Sequence, residues 1–523
     1  MTRAHPAPAD VTARWRAKHV WTDETLLDRL ASVGAGTVAI VDGDVRLTVG
    51  NIRERSREVA AALRSRGIGP GSTVAWLLPN WWESVVLCWA IWRCGAVASP
   101  ITPTLGEREV GFILARTRAS IVVVPRAFRG TDYPALVRAT GYRGDVIAMR
   151  DGSLPSALSG DGAAGDDAVG ITVDDPAVVL WTSGTTAEPK GVVHTHQSLR
   201  VEADSIVAAH AMQSGESLLL PMPVTHVAGL TYGILLPVTN AITTVLMDTW
   251  DPGRALELLE AESISVMIST PVFMRTMIDN AAFARTDRSS VRLFSLGGAG
   301  VAPAMVREGA DAFGCWCKRT YGSTEYPTLT TGRAGDTIER DATTDGPLIG
   351  AAELRIADPQ TLEDLPPGTA GELLVRGPEM FTGYLDEIMD ADAFVDGGWF
   401  RTGDLAIYDG EYLTIVDRLK DVIIHGGENI SAQEVEALLV THAAVTEAAC
   451  VAVPDPIMGE KVCAYVIPTA ACAPTLDELR THLLACGLAR FKLPERLELR
   501  DTLPRTASGK VQKARLREAM RSG

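Results

Sequence analysis

The chain has no apolar run long enough to cross a bilayer. Its most apolar stretch, residues 81–92, spans about a dozen positions against the roughly 20 that a spanning helix needs, and it carries Glu83. Positive charge is also scarce: 49 Lys and Arg stand against 65 Asp and Glu, a net charge of −16. That balance argues against non-specific binding to nucleic acid or anionic membranes, although it allows a local cationic pocket. The eight cysteines lack zinc-site spacing, since the one close pair, Cys315 and Cys317, has no second pair and no histidines beside it. No secretory apolar core follows the polar start MTRAHPAPAD, so reduced thiols and a cytoplasmic protein are expected. Internal repeats, a Walker A ending in Gly-Lys-Ser/Thr and a dinucleotide fingerprint are all missing.

At 523 residues the chain is too long for one core and should divide into two or more domains. Leu26, Leu27 and Leu30 mark an amphipathic helix within residues 21–30, and residues 38–47 read as a hairpin turning at Asp42-Gly43-Asp44. Strands and helices then alternate through residues 51–67, 74–78, 81–92, 96–100, 107–117, 121–124 and 146–149, a rhythm that predicts α/β layers with largely parallel sheets. Asn80 with Glu83 has the pattern of a capping box for the apolar helix, and Gly95 is its stop. Residues 153–167, rich in Gly, Ala, Ser and Asp, read as a surface loop. A composition break near residues 417–421 precedes a smaller α/β unit.

The stretch LWTSGTTAEPKGVVHTH, beginning at Leu180, is the centre of the chemistry. An apolar strand breaks into Thr182, Ser183, Gly184, Thr185 and Thr186, then Lys190 and Gly191 return to packed structure. Glycines let main-chain N–H groups converge, and hydroxyls with one ammonium add donors, so the loop suits a polyphosphate. On composition alone such a loop is ordinarily a plain connection. Further motifs follow: PMPVTHVAGLTYG around His226, LFSLGGAG with Gly297, Gly298, Ala299 and Gly300, YGSTE from Tyr321 to Glu325, WFRTGDLAIYDGEYLTIVDRLKD with Asp404 and Arg418, IHGGENI with Gly426 and Gly427, and LPRTASGKVQK with Lys510.

In content and order these motifs resemble the adenylate-forming acyl-CoA synthetase superfamily. The resemblance implies an α/β fold with a large N-terminal domain of layered sheets and helices (residues 1–417), a hinge (418–420) pivoting at Lys420, and a small mobile α+β C-terminal domain (421–523). It implies two reactions: a carboxylic acid and Mg·ATP give acyl-adenylate and pyrophosphate, then the thiol of CoA takes the acyl group. Thr182, Ser183, Gly184, Thr185, Thr186 and Lys190 would wrap phosphate, and Gly298, Ala299 and Gly300 would wall the adenine. Tyr321 would stack on the purine beside Gly322, Thr324 would reach the α-phosphate, and Glu325 would supply a hard oxygen for Mg²⁺. Asp404 and Arg418 would hold the nucleoside, Gly426 and Gly427 the CoA tunnel, and Lys510 the charge of the transition state. His226 would close the carboxylate end of an acid pocket, with Gly229, Leu230 and Gly297 leaving it roomy.

Ala187 replaces a usual Gly and His425 a usual small residue. The upstream segment from Pro79 resembles the branch acting on short- and medium-chain or alicyclic acids. The rivals are an adenylating enzyme that loads a carrier protein, whose aryl-acid members usually carry Asn at the position of His226, an aryl-acid CoA ligase, and a non-catalytic paralogue. Partners are then a small carboxylic acid and CoA, with no nucleic acid and no membrane span. The oligomeric state stays open, with a homodimer allowed.

Overall fold

A computed structural model describes residues 4–149, 170–182, 188–425, 428–469, 473–506 and 509–521. The surface loop expected at 153–167 lies outside these. Two sheets form the body of the chain. One has eight strands in the order Thr330–Thr331, Trp316–Tyr321, Leu293–Gly297, Val266–Ser269, Ser217–Leu220, Thr243–Leu246, Val38–Asp42 and Val45–Thr48, and its central strands are parallel. The other has seven strands and holds Thr73–Trp76, Val97–Pro100, Ile121–Pro125 and Asp145–Met149 in parallel, with Pro176–Thr182 beside them.

Between these sheets runs the helix Trp82–Arg93, whose residues from Trp82 to Trp92 are all buried. An all-round apolar helix is what a position between two layers requires. Two of its tryptophans are anchored to backbone elsewhere, with the Trp89 indole donating to the Ile234 carbonyl (3.1 Å) and that of Trp92 to the Ala177 carbonyl (2.9 Å). Gly95 follows the helix at φ +65°, a left-handed residue that ends it as expected. Among the described residues no helix is long and apolar enough to cross a membrane.

Local rules account for other ends. Thr48 and Asn51 form a reciprocal capping box at the start of helix Val49–Ser65, as do Thr25 and Asp28 for helix Leu26–Ser32. Helix Leu26–Ser32 starts after Thr25, later than its apolar pattern alone predicts. The expected box at Asn80 does not form: Trp81 is the N-cap and no side chain caps it. The Asn80 amide instead donates to the carbonyls of Leu220 (3.3 Å), Met222 (2.8 Å) and Met247 (3.0 Å) and accepts from the Val224 N–H at 2.8 Å. It ties the helix to the loop that leads into His226.

The expectation of largely parallel sheets fails for a third layer. Strands Glu353–Ala357, Gly371–Arg376, Phe394–Val395, Trp399–Tyr408 and Leu413–Arg418 pair antiparallel throughout. The last two are joined by a tight turn at Gly410 (φ +104°), too short for the crossover that parallel pairing needs. A fourth sheet combines Ile423–His425, Glu428–Ile430, Val445–Asp455, Gly459–Pro468 and Arg496–Leu499. Helices Ala432–Leu439 and Leu476–Ala485 pack in one apolar cluster against it, and Lys513–Arg521 in another.

Asn80→Ala should lower stability by roughly 1–3 kcal/mol, the cost of leaving buried backbone groups unpaired. Urea unfolding followed by tryptophan fluorescence measures it, and an unchanged midpoint would show that these contacts are dispensable.

Candidate active site

The phosphate-loop stretch folds as an antiparallel hairpin. Strand Pro176–Thr182 pairs with Lys190–Thr195, and Thr182 stands opposite Lys190. Ser183, Gly184, Thr185 and Thr186 lie outside the described residues. At the hairpin mouth the Lys190 ammonium sits 5.2 Å from the centroid of the Tyr384 ring.

The YGSTE motif follows the strand Trp316–Tyr321 as a turn. A Cβ at Gly322 would stand 1.9 Å from the Pro327 carbonyl oxygen, so only glycine fits there. The Ser323 N–H donates to the Tyr326 carbonyl at 2.8 Å, and the Tyr326 N–H donates to the Ser323 hydroxyl at 3.1 Å. His194 Nε2 lies 2.7 Å from the Thr324 carbonyl, and burial drives its pKa down to about 4, so the neutral ring donates there. The Glu325 carboxylate accepts from the Tyr384 hydroxyl at 2.8 Å.

Asp404 and Arg418 face each other across the strands Trp399–Tyr408 and Leu413–Arg418. Asp404 is 2% exposed. One of its oxygens forms an ion pair with Arg418 Nε at 2.9 Å, and the other accepts a hydrogen bond from the Tyr321 hydroxyl at 2.5 Å. Each carboxylate oxygen can accept a second bond, so the group keeps capacity for ribose hydroxyls while its own position is fixed. The Tyr321 ring is tied to Asp404 as well as standing where a purine stack was expected.

Lys510 comes to this group from far along the chain. A Cβ on Gly298, which has φ +74°, would sit 3.8 Å from Lys510 Cε and 3.5 Å from the Thr270 methyl. Gly509, with φ +85°, packs on Val272 and Thr270. A Cβ on Gly300 would be 3.0 Å from the amide nitrogen of Gln433. The glycine wall is thus covered by two pieces of the C-terminal sheet region. Crowding by protein and the charge of Arg418 lower the Lys510 pKa to about 8, against the opposing pull of Asp404 and Glu325. Burial, then Arg418 and Arg517, bring Lys420 to about 8 also. A strongly acidic chain therefore carries a concentrated cationic cleft.

Behind Lys510 lie two buried groups without a hydrogen-bond partner, His226 Nε2 and the Thr270 hydroxyl. Burial first, and the Lys510 charge second, lower His226 to about 4, so it is neutral at physiological pH.

A Cβ at Gly229 would stand 1.9 Å from the Pro223 carbonyl oxygen, and at Gly297 one would stand 2.6 Å from that of Thr320, so both glycines lie against backbone on that side. Leu230 is a fully buried member of the main core. The segment at Lys420 is a turn. The Arg418 carbonyl accepts from the N–H groups of Asp421 (2.8 Å) and Val422 (3.0 Å). His425 points into its own unit, with Nδ1 2.8 Å from the Glu460 carbonyl, while Gly426 and Gly427 lie outside the described residues. His194, Thr270, Tyr384 and Gln433 escaped the sequence reading, and only the inward-facing register of His194 on its strand gave any local signal.

Fold and cleft together describe a nucleotide-handling enzyme whose cation arrives on a C-terminal loop. The pattern of the family described as AMP-binding enzyme matches residues 27–385, and that of the AMP-binding enzyme C-terminal domain matches residues 434–510. The chain belongs to the AMP-binding enzyme family. It is 31% identical to the medium-chain fatty-acid–CoA ligase of Escherichia coli (strain K12), over 97% of this chain and 92% of that protein. It is 32% identical to a salicylyl-CoA synthase / salicylate adenylyltransferase of Streptomyces sp, over 99% of this chain and 97% of that protein. Among solved structures it is similar to ATP-bound MatB from Rhodopseudomonas palustris, with a TM-score of 0.87 and 27% identity over 95% of this chain and 99% of that one.

Gly229→Ala should cost roughly 1–3 kcal/mol of stability through overpacking, read from the thermal midpoint. A stable variant with only its preference for acid length altered would return Gly229 to the pocket lining.

Proposed function

We propose that the chain is an AMP-forming acyl-CoA synthetase that activates a short- or medium-chain or alicyclic carboxylic acid. The observation that carries this reading is the placing of Lys510 against Gly298, between Asp404 and Arg418 on one side and the unpaired His226 and Thr270 on the other. A carboxylate oxygen attacks the α-phosphorus of ATP, the bond to pyrophosphate breaks, and acyl-adenylate forms. Both reactants are anions, so an ammonium between them stabilises the transition state more than the separated ground state. Neutral His226 adds a hydrogen bond at the carboxylate end without adding charge. In the second step the CoA sulfur attacks the acyl carbon, its proton passes to solvent, and AMP leaves.

Residues 1–417 act as the N-terminal domain, 418–420 as the hinge and 421–523 as the mobile C-terminal domain. In this reading the turn at Lys420 is the state that keeps Lys510 in the cleft, and opening it brings Gly426 and Gly427 to the CoA path. Glu325 is the residue suited to Mg²⁺, because a lone carboxylate shared with nucleotide phosphates is how that ion is usually held. Bound there, Mg²⁺ would offset the charge of the departing pyrophosphate. Full-length similarity to a fatty-acid–CoA ligase and to a salicylyl-CoA synthase supports CoA as acceptor.

Lys510→Ala should reduce acid-dependent pyrophosphate release by roughly 10²–10³-fold, the scale for one transition-state charge stabiliser. It should still turn pre-made acyl-adenylate and CoA into thioester. Near-normal pyrophosphate release would remove Lys510 from the chemistry. The pH dependence gives a second check. With a pKa of about 8, Lys510 is charged below that value and neutral above it, so kcat/KM for ATP should be level below pH 8 and fall above it. Lys420 titrates in the same range, and Lys510→Arg separates them. If the fall belongs to Lys510, the permanently charged guanidinium abolishes it, whereas persistence of the fall assigns it to Lys420.

A further inference from the structure

We infer that Tyr384 is a positioning residue of the metal-nucleotide site, its hydroxyl setting the Glu325 carboxylate and its ring face holding the Lys190 ammonium. This rests on the reading of Glu325 as the protein's ligand to the nucleotide-bound metal. The Tyr384 hydroxyl reaches Glu325 Oε1 at 2.8 Å, which leaves the second oxygen, Oε2, for another partner. The Lys190 ammonium meets the same residue elsewhere, over the ring at 5.2 Å from its centroid.

The side chain is held rigidly enough to do this. Tyr384 is 4% exposed, and its ring packs edge-on to Phe381 with centroids 5.0 Å apart. The strand Gly383–Tyr384 pairs with the strand of Lys190, Val192 opposite Tyr384 and Val193 opposite Gly383. On either side, the Thr382 N–H donates to the Val193 carbonyl (2.9 Å) and the Leu385 N–H to the Gly191 carbonyl (2.7 Å). The Phe381 N–H donates to the Glu325 carbonyl at 2.9 Å. One short segment therefore clamps both the phosphate hairpin and the YGSTE turn, and Tyr384 is where its side chains meet the charges of each. Burial and the neighbouring Glu325 charge push the phenol pKa up, so it remains a donor.

The arrangement resolves a conflict. A lysine and a glutamate at the mouth of one dehydrated cleft attract each other, and a direct ion pair would occupy both the phosphate donor and the metal ligand. The phenol satisfies each at a different place: a cation–π contact on its face and a hydrogen bond at its rim. Both charges are then available when metal and nucleotide arrive.

The test is Mn²⁺ binding, read by electron paramagnetic resonance on the full-length protein with a non-hydrolysable ATP analogue, beside calorimetric binding of the analogue without metal. Tyr384→Phe keeps the ring and removes the hydroxyl, so Mn²⁺ binding should weaken roughly five- to tenfold while metal-free nucleotide binding stays within about twofold. Tyr384→Leu removes the ring face as well and should also weaken metal-free nucleotide binding. Glu325→Gln should weaken Mn²⁺ binding, and adding Tyr384→Phe to it should cost nothing more. Loss in Glu325→Gln with unchanged Mn²⁺ binding in Tyr384→Phe overturns the role of Tyr384 alone. Unchanged Mn²⁺ binding in Glu325→Gln overturns the metal role of Glu325, and this inference with it.

Discussion

Like charges crowded into a partly dehydrated cleft repel one another, and this site brings Lys190, Arg418, Lys420 and Lys510 within range of each other. Surrounding protein and neighbouring cations lower the pKa values of Lys420 and Lys510, and Asp404, with Glu325 for Lys510, only partly offsets them. In the proposed reaction a polyphosphate entering the cleft would supply the anions that these cations lack. The expense is specific to the function, since an ordinary folded surface would disperse such charges into water.

Holding that charge in place requires a body that does not yield. The two mainly parallel sheets and the helix between them provide it, with Trp89 and Trp92 fastened to the backbone of Ile234 and Ala177. Asn80 extends the same rigidity to the loop before His226 through its bond to the Val224 N–H. Asp404 is fixed by Arg418 and Tyr321, and the YGSTE turn by His194 and Tyr384. Each residue expected to meet a ligand is thus held by a partner from another element, and this supporting shell gives precision to groups that stand on loops and strand ends.

Much of this was legible in the chain, and the failures have a common cause. Periodicity and turn chemistry located the hairpin at Gly43, the buried helix and its stop at Gly95, because those depend on neighbours in sequence. The motifs located Asp404, Arg418 and Lys510 through resemblance, and the structure brings these three together. Asn80 was misread because a buried asparagine bonded to a distant loop has the same local pattern as a capping asparagine. The backbone packed against Gly229 and Gly297 left no trace in the sequence, which does not distinguish a glycine that makes room for a ligand from one that makes room for backbone. The bonds from His194 to Thr324 and from Tyr384 to Glu325 span 130 and 59 positions, and no local pattern announces a contact at such range.

The way Lys510 is delivered follows from how the apolar cores are divided. Among the described residues, the clusters packed among the first three sheets contain none beyond Ile415, and those around the fourth begin at Ile423. Among the described residues, the contacts that cross between them at the cleft are of another kind: Gln433 over Gly300, and Lys510 with Gly509 against Gly298, Thr270 and Val272. Asp417 adds bonds to the Ser431 hydroxyl (2.8 Å) and the Gln433 N–H (3.2 Å). Glycine surfaces and polar bonds can part into water at modest cost, because the separated groups regain hydration, whereas opening a shared apolar core would expose it. A proposed pivot at residues 418–420 is therefore matched by an interface that can be broken and remade. The same division gives a reason for the proposed catalytic cation, Lys510, to sit on a loop near residue 510: carried by a separate core, it could be withdrawn from the cleft without unfolding the larger body.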